Sequence, residues 1–453
     1  MGVNKLFDIS RTSLSAYQKA LAVTSNNIAN ANNPNYSRQN VVLATEIPDM
    51  RTKIAFGSGV RLDDIVRVKN EITETQIRTY NQSYSFADKQ SSILGQIESL
   101  LSEPSELGLS NLISGFFNSW DELAVNPTSV PLRNNVVQSA QQMATKLENI
   151  YSGITRVKSD LKNESSDIVD QLNGLTEQIR VLNRQVYEAN ATGGSSVNDL
   201  LDKRDELINQ LSKLANINVS YDEFNVANIS IGGVFAVDRI QSTQFKLTET
   251  GGKIKITTED GAASLALNGG ELFALSKAYN TQIPSYQNEL DLVAKAIYEQ
   301  VNTLHSSGYS NTEPPATGVN FFSSYDSGVL KLNSEIVDNV NLISISEDGT
   351  SGNNSIALQI SKLQDEKLID GITISEKYSN FVSGLGNDKR VQEQNLESYE
   401  LVLNQLELQK AEYSGVSVDE EMVNVLKFQR SYDASARLIK VADEILQTLL
   451  SMV

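Results

Sequence analysis

The stretch NNIANANNPNYSRQ, residues 26–39, decides how this chain is read. Upstream of it, Phe7, Ser10, Leu14, Tyr17, Leu21, Thr24, Ile28 and Ala31 follow one another at alternating steps of three and four residues. That spacing is the apolar seam of a coiled-coil helix. Pro34 has no N–H and pushes Asn33 out of the helical region, so the helix must stop here. Asn tolerates the left-handed turn that commonly closes a helix. The stretch therefore reads as a hard stop and a turn after a long N-terminal helix.

The other end of the chain mirrors this pattern. Val425, Phe428, Tyr432, Ser435, Ile439, Ala442, Leu446, Leu449 and Val453 repeat the same steps. Gly415 breaks the preceding helix, and Ser417 with Glu420 has the spacing of a capping box. A single amphipathic helix is marginal in water. The plain reading of both seams is intramolecular core. Their placement at the two extremes suggests instead a paired, coiled-coil arm, whose remaining apolar edges another copy or a homologous chain would cover. In a lone chain the two ends are then expected to be unordered.

Between the ends the pattern is mostly helical. Residues 68–101, 106–125, 131–190, 197–215, 271–305 and 387–413 carry helical periodicity, with ATGGSS (191–196) as a turn. Residues 216–270 alternate apolar and polar between Gly and Asp, which predicts short antiparallel strands. Residues 329–350 have some strand character, and 353–386 are mixed, mostly helical. The fold class is mainly α with a small β part: an elongated bundle built from both halves of the sequence, a terminal coiled-coil arm and inserted strands. The expected division is 1–66 with 415–453 as a terminal assembly unit, 67–215 with 271–414 as the bundle, and 216–270 as a small β-rich part.

Composition limits the function. The chain has 453 residues, 40% of them hydrophobic, so it can bury a sizeable core. Its net charge is −18 and no dense Lys/Arg cluster occurs, which disfavours nucleic acid and anionic membrane surfaces. There is no Cys, hence no disulfide, thiolate or Cys-ligated metal. The N-terminus lacks the pattern of a cleavable signal peptide, and no apolar run spans a membrane.

The search for chemistry returns little. His305 is the one His, too few for a zinc site, and reads as a helix-end residue near a loop. FGSG (56–59) and SIGGV (230–234) lack the spacing and Lys of a phosphate loop. SEDGTSGNNS (346–355) has the composition of a calcium loop without its order, and reads as a polar turn. Trp120, the only Trp, reads as core. No enzyme activity, metal or cofactor is expected.

At this point the details resemble a family. NNIANANNPNYSRQ resembles the Asn-Asn-Ile-Ala-Asn…Pro-Gly-Tyr-Ser/Thr-Arg-Gln signature of the bacterial flagellar rod, hook and hook-associated axial proteins, with Asn35 in the Gly position. SGVSVDEEMVNVLKFQRSYDASARLIKVADEILQTLL is similar to the same family's C-terminal motif. LLDKRDELINQLSKLANINV (200–219), QIPSYQNELDLVAKAIYEQVNTLHSSGY (282–309) and WDELAVNPTSVPLRNNVV resemble its hook–filament junction members. Larger members carry a β-rich outer domain after a Phe-Phe pair. Here little separates Phe321-Phe322 from NLISISEDG, so that domain is expected to be absent or vestigial.

The resemblance implies a structural subunit that forms a ring of copies between hook and filament. The terminal helices would line the inner tube. Partners would be further copies, the hook protein, the second junction protein and an export chaperone on the C-terminal region. Export would run through the flagellar type III pathway without a cleaved signal. Leu14, Tyr17, Leu21, Ile28, Asn30, Pro34, Val425, Phe428, Tyr432, Ile439, Leu446 and Leu449 would form the assembly interface. Tyr36 and Arg38 would either contact neighbouring chains or simply cap the turn. The rival readings are another axial protein of the rod or hook, a flagellum-associated peptidoglycan hydrolase, and a coiled-coil adapter.

Overall fold

The computed structural model describes residues 3–47, 57–191 and 197–452. Helix α1, Val3–Ala29, is followed by a hairpin of β1, Gln39–Thr45, and β2, Val60–Arg67. Four helices follow: α2 Glu71–Leu101, α3 Leu109–Val125, α4 Val130–Ala191 and α5 Asn198–Leu214. A four-stranded antiparallel sheet comes next, from β3 Ile217–Tyr221, β4 Ala227–Ile231, β5 Val234–Asp238 and β6 Gln241–Ser242. The hairpin of β7 Phe245–Thr250 and β8 Lys253–Thr258 completes the β-rich stretch. Helices α6, Gly270–Lys277, and α7, Ile283–Ser307, are joined by one π-helical turn. Small strands β9 Tyr309–Ser310, β10 Phe322–Asp326, β11 Val329–Leu332 and β12 Ser344–Ser346 lie around α8, Ser334–Asp338. The chain closes with α9 Ser355–Lys362, α10 Ile374–Ser414 and α11 Val418–Ser451.

The helical period of α4 buries one continuous face, from Val136 through Met143, Ile154 and Leu172 to Val186. Against it pack α3, α5, α7 and β7. Helix α10 runs along α2 and so returns the C-terminal half of the chain to the bundle. One continuous hydrophobic core results, and it contains Trp120, Phe116, Phe321 and Phe322 in mutual ring contact. Most of the predicted helices and strands are present. Helix α10 begins at Ile374, earlier than expected, because Thr373 and Glu376 form a full capping box there. The expected turn at 191–196 lies almost wholly outside the described residues.

Docking of strands on helices uses one device repeatedly. A helical Asn turns its carboxamide to a strand, accepts from one residue's N–H and donates to the same residue's C=O. Asn173 does this to Phe245, Asn280 to Ile254 and Asn302 to Phe322, with all six bonds at 2.8–2.9 Å. Asn183 accepts from Ala227 N and donates to Ala227 O, and its amide also reaches Arg239 O. The carboxamide carries both a donor and an acceptor, so it stands in for a missing strand partner and satisfies both polar groups at a strand edge.

The residue pattern between 36 and 66 marks no strands, whereas the structure has the β1–β2 hairpin there. The strands are antiparallel, with one extra β2 residue, Asp63, opposite the Val42–Leu43 step. That bulge breaks the alternation that would have marked β2.

Candidate functional site

Helix α1 is enclosed by α11 on one side and by the hairpin on another. Its most buried stripe is therefore Ser10, Ser13, Ala16, Ala20, Val23, Thr24 and Asn27, small residues that admit close approach. Most of the large seam residues flank this stripe. Leu14, Tyr17, Leu21 and Ile28 are half-buried, as are Val425, Phe428, Ile439 and Leu446, while Tyr432 and Leu449 are exposed. The two seams meet where the rings of Tyr17 and Phe428 lie 6.4 Å apart. On α11 only Glu421, Ser435 and Ala442 are fully buried. Met422, Val423, Leu426, Leu438, Val441, Ile445, Leu450 and Met452 stand exposed beside Leu449.

The Asn-rich turn closes onto this arm through Asn27. Its Oδ1 accepts from Gln39 N at 3.0 Å and from the Tyr36 hydroxyl at 2.7 Å. Its Nδ2 donates to Gln39 O at 2.9 Å and to Glu421 Oε2 at 3.1 Å. All four hydrogen-bonding positions of a buried carboxamide are thus used, which fixes its orientation. This is the same helix-to-strand device found in the bundle, here joining α1, β1 and α11.

Arg38 completes the joint. Its Nε donates to Glu421 Oε1 at 2.9 Å, and its Nη1 lies 3.0 Å from Glu420 Oε2. Its backbone N–H donates to Ser414 O at the end of α10. Ser417 accepts from Glu420 N, so half of the expected capping box forms. The Glu420 carboxylate turns to Arg38 instead of back to the cap. Pro34 is exposed and Asn30 partly so, its Nδ2 bonded within the turn to Asn26.

On the bundle side the joint meets the start of α5. Asp202 Oδ2 accepts from Ser37 N, and Asp199 Oδ1 from Gln39 Nε2. Arg67 Nη1 reaches both Asp202 Oδ1 at 2.7 Å and Asp205 Oδ2 at 2.9 Å. Lys69 Nζ joins Asp205 at 2.7 Å and Glu71 at 3.1 Å. Burial alone would raise the Asp205 pKa, but Lys69 and Arg67 outweigh it and hold this carboxyl below its usual range. Burial would lower Lys69, and Asp205 reverses that. The Tyr36 hydroxyl is pushed up by burial and by the nearby Asp199 and Asp202. The three aspartates could suggest a cation site, but Arg67, Lys69, Ser37 and Gln39 already fill them. Among the described residues no group of His, Cys, Asp and Glu could hold a metal ion.

Tyr36 and Arg38 are thus spent on contacts within the chain. Asn27, Glu421, Asp202, Asp205, Arg67 and Lys69 were not singled out by the sequence. Their motifs were visible, but partners such as Arg38 and Glu421 lie far apart in the chain, and no local pattern links them.

His305 sits in the core, as its reading as a structural residue requires. Nδ1 lies 2.7 Å from Val319 O, and Nε2 accepts from Ser344 N at 3.0 Å. Those partners fix the neutral tautomer with its proton on Nδ1. Burial lowers its pKa to about 4. With both nitrogens occupied it has no free face for catalysis. Asp348 accepts from Ser346, Thr350 and Asn353, closing the 346–355 turn on itself.

The fold and this joint define a long-helix bundle protein whose paired ends are held to its body by polar groups. Comparison with known proteins gives the family. Residues 94–322 match the model of the flagellar hook-associated protein FlgK helical domain. Residues 7–36 match the flagella basal body rod protein family, and 409–452 the C-terminal family of flagellar basal body rod FlgEFG proteins. The flagellar hook-associated protein 1 of Bacillus subtilis is 28% identical, covering 98% of this chain and 97% of that one. The protein of the same name from Salmonella typhimurium is 21% identical, covering 99% and 100%. The fold is similar to the flagellar hook junction protein FlgK of Burkholderia pseudomallei, with TM-score 0.64 at 14% identity, covering 76% of this chain and 100% of that one. The chain belongs to the flagellar hook-associated protein FlgK family, whose members are structural proteins of the bacterial flagellum. No described helix is long and apolar enough to cross a membrane.

Proposed function

We propose that this chain assembles as a ring of copies at the junction between hook and filament, and that the ring permits filament growth. The observation that carries the reading is the exposed apolar face of α11, from Met422 to Met452, on a helix whose other side is already occupied by α1. So many large apolar side chains on one exposed face mark a surface made to be covered. Charge agrees with this. The acidic residues of α1 and α11 are balanced by Lys5, Arg11, Lys19, Lys427, Arg430, Arg437 and Lys440. The net charge of −18 therefore rests on the rest of the chain. Neutral arms can converge on an axis while acidic bundles stay apart.

In this account Leu14, Leu21, Ile28, Tyr432, Ile439, Leu446 and Leu449 touch neighbouring copies, and the terminal unit 1–66 with 415–453 is the assembly unit. The hook protein and the second junction protein lie on either side of the ring. The chain leaves the cell by the flagellar type III route, with a chaperone on the C-terminal region beforehand. On this reading the β-rich outer domain of longer relatives has no counterpart here; among the described residues the short β10–β11 hairpin begins at Phe322 of the Phe-Phe pair. The alignment to the Salmonella relative runs over 560 positions for a chain of 453 residues, consistent with stretches that have no counterpart here.

Replacing Leu426, Val441 and Leu449 together by Ser, on the exposed face of α11, tests the reading. The bundle should remain folded while the variant fails to enter flagella. Normal filament attachment by this variant would contradict it.

A further inference from the structure

Among the described residues, nothing bonds along one edge of strand β1 beyond Gln39. Two backbone hydrogen bonds fix which residues face that edge. Val68 N donates to Arg38 O, and Glu46 N donates to Gly59 O, so the even-numbered residues of β1 bond to β2. The extra β2 residue at Asp63 keeps this phase along the whole of β1. The odd-numbered residues Gln39, Val41, Leu43 and Thr45 therefore turn their N–H and C=O groups outward. At Gln39 both groups are taken by Asn27. At Val41, Leu43 and Thr45, among the described residues, no backbone or side-chain group outside the hairpin bonds to either.

This edge is also undefended. Natural edge strands carry Lys, Pro, bulges or short length to prevent pairing. Strand β1, QNVVLAT, has no charge and no Pro, and the bulge lies on its partner. Strand β2 by contrast carries Arg61, Asp63 and Asp64. Elsewhere in the chain a helical Asn seals such edges at Phe245, Ile254 and Phe322. On β1 the same device closes the first outward residue and leaves the next three open.

We propose that the β1 edge at Val41, Leu43 and Thr45 pairs with an extended segment of a second copy of this chain, adding a strand to the hairpin. A copy is the favoured occupant because every copy is strongly acidic and must approach where charge is absent. The hairpin also packs directly on α1, so the edge is continuous with the arm proposed above as the assembly element. The inference deepens that assembly reading, and main-chain pairing would fix the register between copies where apolar packing alone would let them slide.

The test is residue-resolved amide exchange on the wild-type chain, free and assembled in flagella. Asn40, Val42 and Ala44 should be protected in both states. Val41, Leu43 and Thr45 should exchange freely in the lone chain and slow at least a hundredfold after assembly. Unchanged exchange at all three in assembled flagella overturns the proposal while leaving the assembly reading intact; absence of the chain from flagella would sink that reading instead. As a second arm, Thr45→Pro removes an outward N–H without touching the ladder, whereas Thr45→Ala keeps it. Thr45→Pro should incorporate at least tenfold less well than Thr45→Ala, and equal incorporation overturns the proposal. A photo-cross-linker at Asn40 should join two copies of this chain; a cross-link to any other protein refutes the occupant.

Discussion

Replacing Arg38 by Met should release the terminal arm without unfolding the bundle. The Glu421 carboxylate is almost wholly buried, its side chain 3% exposed, and it has two partners, Arg38 Nε and Asn27 Nδ2. Removal of Arg38 leaves a buried anion held by one amide. Breaking a buried pair in this way costs about 3–5 kcal/mol. Arg38 is itself about a quarter exposed (26%), so the lower end applies, about 3 kcal/mol. That corresponds to on the order of a hundredfold in the local opening equilibrium. The assay is native-state amide exchange. Amides of Tyr36–Gln39 and of the first two turns of α11 should exchange faster by that factor, with the α4 core unchanged. Replacing Glu421 by Met as well removes the orphaned charge and should restore much of the protection. If the single variant leaves these amides as slow as before, or loosens α4 equally, the joint does not hold the arm as argued.

Three further outcomes are expected. His305 binds a proton below about pH 6.5 in the unfolded chain but only below about 4 in the native one. Its contribution is therefore complete above pH 6.5 and is lost as the pH falls towards 4, about 3 kcal/mol in all. Urea midpoints at pH 7 and pH 4.5 should fall further for the wild type than for His305→Gln, and equal falls would contradict the buried neutral tautomer. Asn302→Ala leaves the N–H and C=O of buried Phe322 without partners and should cost about 3 kcal/mol by denaturation; a loss under about 1 kcal/mol would show that the carboxamide is not the strand's essential partner. In a lone chain, limited proteolysis should trim both terminal arms outward of the joint at Asn27, Arg38 and Glu421 and leave the bundle resistant, because the apolar face of α11 has no cover there. Resistance along the full length would argue against an assembly-dependent arm.

Local features were legible in the sequence and long-range ones were not. Helix α4 announces itself because a 3.6-residue period repeats over its whole length, and β3, β4, β5, β7 and β8 lie in segments that alternate between turn residues. The hairpin hid because Asp63 interrupts the period of β2 and because β1 is nearly apolar on both faces. The seams were found, but their deepest burial belongs to Ala16, Ala20 and Asn27, since α1 is enclosed on two sides and only small residues fit between. Asn27 looks like part of a helix stop. Its function depends on Gln39 and Glu421, one of them 394 positions away, and no spacing rule reaches that far. Ser417 and Glu420 had the right spacing for a reciprocal cap, yet a stronger partner, Arg38, took the carboxylate.

The most direct test uses the absence of cysteine. Leu426→Cys and Leu449→Cys place single thiols on the exposed face of α11, and Val181→Cys places one on an exposed part of the bundle. All three should react with a maleimide in the free chain. In assembled flagella the Leu426 and Leu449 positions should become unreactive while the Val181 position still labels. Full labelling at Leu426 and Leu449 in assembled flagella would contradict the claim that this face exists to be covered by neighbouring copies.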